Sequence, residues 1–189
     1  MKGKVVLTAA EAALEGQTSL GGKAMGLVAL QEAGLAVPPF FVVTARGFEE
    51  HLDGDERRDR LARILKGLAD VDVTTPEGRR SVAEASKQAR ALVESGPPSP
   101  GLRDALANAL HTLGEGPYAV RSSMIGEDSA AHSYAGLLES HLFQRDAGDV
   151  EAALLRCWSS AFTERALAYQ ARRTTTGSAI PAVAVVVQR

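Results

Sequence analysis

The stretch YAVRSSMIGEDSAAHSYAG, residues 118–136, decides how the rest of the chain is read. YAVRSS, residues 118–123, reads as a buried strand whose short apolar start delivers Arg121, Ser122 and Ser123. An arginine that follows an apolar strand is costly to bury without an anionic partner. That partner is either internal, with Glu127 and Asp128 close by in sequence, or a ligand phosphate. Gly126, Ser129 and Ser133 add flexibility and hydroxyls. Such a small-residue segment is either an ordinary surface loop or one that folds over phosphate oxygens and donates its backbone N–H groups.

On the C-terminal side, GLLESHLF (residues 136–143) alternates like a second strand. Residues 150–173 read as one long amphipathic helix carrying Leu154, Leu155, Trp158, Phe162, Ala166 and Tyr169. After the polar RRTTTGSA comes a last strand, AVAVVVQR, within which the sequence stops. Valine-rich strands are usually buried between neighbours. This one is therefore expected to be either an edge strand or a strand cut off from its next neighbour. An open edge would favour pairing with a partner or with a second copy.

On the N-terminal side, KVVL (residues 4–7) reads as a strand, and SLGGKAMGLVALQEAGL as a loop feeding a helix. Met25, Leu27, Val28, Leu30 and Leu35 are its expected apolar positions, with Gly34 as its stop. Pro38 and Pro39 forbid helix before the strand Phe40–Val43, after which Thr44 is placed to cap a short helix through His51. Residues 55–113 repeat apolar positions at helical spacing: Leu61, Ile64, Leu65 and Leu68, then Val82, Ala85, Ala89 and Leu92, then Leu102, Leu106 and Leu110. They read as a small helical subregion with charged outer faces. Gly21 and Gly22 stand just ahead of a helix start that offers free N–H groups, and Lys23 adds a mobile charge there. The segment suits a phosphate or an ordinary solvated helix start, but it lacks the P-loop spacing.

Composition narrows the classes. The 189 residues carry 21 Lys+Arg against 23 Asp+Glu, so no basic footprint for nucleic acid is visible. Cys157 is the single cysteine, which rules out an internal disulfide and leads to the expectation of a reducing, cytoplasmic location. No apolar run approaches the roughly 18 residues of a membrane span. His51, His111, His132 and His141 show no metal-ligand spacing, and no hydrolase triad is indicated.

Taken in order, the blocks 21–52, 118–143, 150–173 and 182–189 resemble the N-terminal nucleotide-binding domain of the PEP-synthase and pyruvate, phosphate dikinase family, which includes rifampin phosphotransferase. The resemblance implies an α+β, ATP-grasp-like fold, with a mixed or antiparallel sheet, flanking helices and a helical insertion at about 55–113. Residues 1–189 would form part of that domain. It implies ATP and Mg²⁺ as ligands, with ATP split to AMP and phosphate and a phosphoryl group passed to a carrier histidine on another domain. By position in the family's motifs, Lys23 and Arg121 contact the phosphates, Arg121 serving catalysis as well. Gly136 is the loop glycine, Ser140 and His141 are nucleotide contacts on the following strand, and Gln188 approaches the adenine side.

Two departures stand out. Met124–Ile125–Gly126 replaces a segment that commonly carries a threonine hydroxyl, and His141 replaces an aromatic or aliphatic residue. The family's acidic metal ligands, its carrier histidine and its acceptor-binding domain are expected outside this chain. Residues 1–189 alone are therefore expected to bind nucleotide weakly and to be inactive.

Overall fold

The computed structural model describes residues 3–15, 17–54, 56–125, 139–171 and 180–189, and its sheet is assembled from short segments spread along the whole chain. These are β1 (Val6–Thr8), β2 (Phe40–Val43), β3 (Tyr118–Met124), β4 (Ser140–Gln144) and β5 (Val183–Gln188). They lie in the order β1-β2-β5-β3-β4, and every pairing is antiparallel. The class is α+β, as expected, and the sheet is antiparallel throughout. Arg121, Ser122 and Ser123 lie within β3, as the reading of 118–123 as a strand expected.

The position of β5 overturns the edge-strand expectation. It is the middle strand, with Val186 facing Val42 on one side and Arg121 on the other. Its five consecutive buried residues, Val183–Val187, are what a strand covered on both faces requires. It therefore offers no edge for pairing with a partner or a second copy.

The two sheet faces are covered unequally. Strand alternation sends Phe40, Val42, Ala184 and Val186 to one face, where α1 (Ala9–Ala12) and α2 (Gln17–Glu32) bury them under Leu20, Ala24 and Val28. Phe41, Val43, Val120, Val185 and Val187 point to the other face. That face is packed by α3 (Ala45–Leu52), α4 (Arg57–Lys66), α5 (Pro76–Val93), α6 (Pro100–Leu113), α7 (Ala147–Ser159) and α8 (Glu164–Ala171). The apolar stripes of the 55–113 helices, including Leu61, Leu65, Ala89 and Leu106, join this same core.

Several local expectations change. The long helix expected over 150–173 breaks at Thr163, whose backbone is extended (φ −62°, ψ 154°) and whose hydroxyl accepts the Ala166 N–H at 3.3 Å to start α8. Leu30 and Leu35 are exposed, so the buried stripe of α2 is Leu20, Ala24 and Val28. Gly34 does end that helix: at φ +77° its N–H donates to Gln31 O and that of Leu35 donates to Leu30 O, a Schellman closure. Thr44 is the N-cap residue of α3, but its hydroxyl donates instead to Lys4 O at 2.9 Å and anchors the chain entering β1. Among the described residues no helix is long and apolar enough to cross a membrane.

Candidate functional site

Helix α2 is interrupted at Gly21, whose backbone sits at φ +73°, ψ 172°. Helical geometry resumes after it, which makes Gly21 the N-cap, Lys23 the second helical residue and Ala24 the third. A side chain is excluded at Gly21 on two counts. Its φ lies in the left-handed region, and a Cβ would stand 2.3 Å from the Ser123 carbonyl oxygen. The Ala24 N–H donates to Ser123 Oγ at 3.1 Å. The helix start that carries Lys23 is thus seated directly on β3.

Register places the other candidates. Arg121 faces Val186 on β5 and Ser140 on β4. Because Val186 is buried under α2, Arg121 and Ser140 lie on that same side of the sheet. Ala119 faces Gln188, again on the α2 side, and Gln188 Nε2 donates to Pro38 O at 3.4 Å. Lys23, Arg121, Ser140 and Gln188 therefore share one face of the sheet. Arg121 is half-buried and has no ion pair among the described residues. Glu127 and Asp128, its expected internal partners, lie outside those residues, as do Gly126, Ser129, His132, Ser133 and Gly136.

His141 is not brought to this face. It stands opposite Val120, whose side chain belongs to the other core. Its Nε2 lies 3.3 Å from Glu139 Oε2. Burial, and then the nearby Arg156 charge, push its pKa below the usual histidine value, with Glu139 opposing them in part. Ser122 and Ser123 are fully buried, and their hydroxyls serve the protein. Ser122 Oγ donates to Glu139 O at 3.1 Å and Ser123 Oγ caps the helix, so these two hydroxyls do not surround Arg121 as expected; Ser129 and Ser133 lie outside the described residues.

Cys157 reports on the electrostatics from the opposite side of β3. Its sulfur is 3.6 Å from Val120 O, and its pKa is pushed up to about 12, chiefly by burial and then by the Glu139 charge. The Ser122 backbone, Arg156 and Lys23 act in the other direction. A thiol held this high stays protonated and unreactive. Among the described residues no group of three or more His, Cys, Asp or Glu is assembled to hold a metal ion.

The arrangement is suited to an anion. A helix N-terminus presents positive potential, and Lys23 and Arg121 add two full charges on the same face of the sheet. Sequence reasoning missed the part played by Ser123. The available signal was negative: a helix start preceded by glycines has no capping side chain of its own, and nothing in the local sequence says which distant residue supplies one.

The chain belongs to the family described as pyruvate phosphate dikinase, AMP/ATP-binding domain, which it matches over residues 17–189. It is 36% identical to a probable phosphoenolpyruvate synthase of Methanocaldococcus jannaschii over 79% of this chain and 13% of that protein. It is 32% identical to a rifampicin phosphotransferase of a Streptomyces species over its full length, which is 21% of that relative. It is 33% identical to the prodigiosin synthesizing transferase PigC of Serratia marcescens over 89% of this chain and 16% of the other. The chain thus spans between 13% and 21% of the length of these three relatives. It is a dikinase-type ATP-binding domain.

Proposed function

We propose that this chain supplies the first part of the ATP site of a dikinase-type phosphotransferase, with an ATP-grasp-like fold. In this reading Lys23 and Arg121 hold the polyphosphate from two directions. Ser140 borders the nucleotide, Gln188 lies toward the base, and Gly136 is a further nucleotide contact. Phosphoryl transfer depends on alignment and charge neutralisation more than on covalent chemistry, which is what a lysine and an arginine on one face can provide. Arg121 would counter the charge that accumulates on the transferred group. The His141 side chain, turned to the opposite face, has no part in this grip. Mg²⁺, when bound with ATP, would supply further charge compensation, with its protein ligands coming from outside this chain. ATP would yield AMP and phosphate, with one phosphoryl group passed to a carrier histidine on another domain and then to an acceptor chosen elsewhere. Residues 1–189 alone would bind nucleotide and release no AMP.

The observation that supports this most is the seating of the Lys23 helix start on β3, two residues beyond Arg121 and on the same sheet face. Thermal denaturation with and without Mg-ATP tests it. Ligand that binds the native state alone stabilises by RT ln(1 + [L]/Kd), about 2.7 kcal/mol at a hundredfold excess over Kd. The expected result is a Tm rise that Lys23→Ala and Arg121→Ala each reduce. No rise at millimolar ATP, or robust AMP release by the chain alone, would contradict the proposal.

A further inference from the structure

Gly21 occupies an N-cap position without an N-cap side chain. Such a position ordinarily carries Ser, Thr, Asp or Asn, whose side-chain oxygen accepts the N–H of the second or third helical residue. Here that solution is closed, because φ is +73° and any Cβ would collide with the Ser123 carbonyl at 2.3 Å. The third helical residue nevertheless has its acceptor: Ala24 N–H donates to Ser123 Oγ at 3.1 Å, from a residue 99 positions away. Ser123 is fully buried, and it faces Ala184 in the sheet, so its own position is fixed by the β3–β5 pairing.

We infer that Ser123 is a positioning residue: it caps the Lys23 helix from the neighbouring strand and so locks the Lys23 backbone to the strand that carries Arg121. The glycine is what permits the strand to come close enough, and the serine replaces the side chain that the glycine lacks. This inference deepens the nucleotide reading above and rests on it for Lys23's role, although the cap itself does not.

The test uses the full chain with Ser123→Ala, Lys23→Ala and the double variant. Serine to alanine removes only the hydroxyl, so the fold should persist, and this is checked by thermal denaturation. Hydrogen exchange at the Ala24 amide reads the cap without nucleotide and should become about tenfold faster in Ser123→Ala. ATP titration reads the positioning: Ser123→Ala should weaken binding by roughly three- to tenfold. Adding Ser123→Ala to Lys23→Ala should cost nothing further, because coupled residues are not additive. Unchanged Ala24 exchange would overturn the cap. Unchanged ATP affinity, or losses that simply add in the double variant, would overturn the positioning role. Absence of ATP binding by the wild-type chain would remove the nucleotide reading and Lys23's role with it, while the Ala24 exchange rate would still decide the cap.

Discussion

Among the described residues one face of the sheet is dry and thickly covered, and the other is covered along part of its width by α1 and α2. On the first, Trp158, Phe48 and Phe162 pack ring against ring, with Phe48 and Trp158 centroids 5.3 Å apart, among leucines from six helices. On the second, α2 covers Val42, Ala184 and Val186 but leaves Arg121 half-buried and Ser140 exposed. The difference teaches where stability and chemistry reside. Burying apolar area stabilises without specifying a ligand, whereas partly solvated charges on a rigid sheet contribute little to folding and are available for binding. Substitutions should therefore sort by chemistry and face: those in the dry core change Tm, and those of Lys23 and Arg121 on the α2 face change what ATP does to Tm.

The largest effect is expected from Trp158→Ala. The side chain is fully buried, and its removal should cost about 3–5 kcal/mol. That is a large part of the stability of an ordinary domain, so unfolding at or near room temperature is expected in a denaturation scan. A loss under about 1 kcal/mol would show that the dry face is not the stabilising core.

A smaller effect comes from acid. His51 is buried, stacks on Trp158 at 5.2 Å between centroids, and donates its Nε2 proton to Val93 O at 2.7 Å. Burial is the main reason its pKa falls below the ordinary 6.5; the Val93 contact opposes it and Arg57 adds to it. As pH drops below 6.5 the unfolded chain gains a proton at His51 that the native protein does not, so stability falls from there down to the native pKa. Above 6.5 both states are neutral and this contribution is flat. His141, shifted in the same direction, adds to the slope. His51→Phe should start less stable, with Val93 O unpaired, but its Tm should decline less between pH 6.5 and pH 5. An unchanged slope in that variant would assign the acid sensitivity elsewhere.

The smallest effect is expected where the dry face meets solvent. Arg103 on α6 pairs with Glu151 on α7 at 3.1 Å, with the arginine half exposed. Arg103→Ala should change stability by less than about 1 kcal/mol, and by less still in high salt. A larger loss in chemical denaturation would mean that the helices are held by surface charge as well as by their core.

Much of the fold was legible because local chemistry brackets it. Pro38, Pro39 and Thr44 frame β2 at the expected Phe40–Val43, and the leucines of α4 and α6 recur at helical spacing and are buried as that spacing implies. Thr163 was not legible as a break, since the apolar pattern of 150–173 continues across it, whereas the helix start after Gly21 was legible from its paired glycines. The place of β5 in the centre of the sheet was hidden for another reason: valine content shows that a strand is buried, but strand order is set by contacts far apart in sequence. The candidate site divides the same way. Lys23 and Arg121 announce themselves by charge beside glycines and an apolar run. Ser123 in its capping role, and the side of the sheet on which His141 falls, depend on register and cannot be read from composition.

The most direct test is an amide-resolved NMR titration of the chain with Mg-ATP. The signals expected to move are those of Gly22, Lys23, Ala24, Arg121 and Ser140, while signals from α4, α5 and α6 hold still. Shifts centred on the helical face, or none at millimolar ATP in a folded sample, would contradict the assignment of nucleotide binding to the α2 side of the sheet.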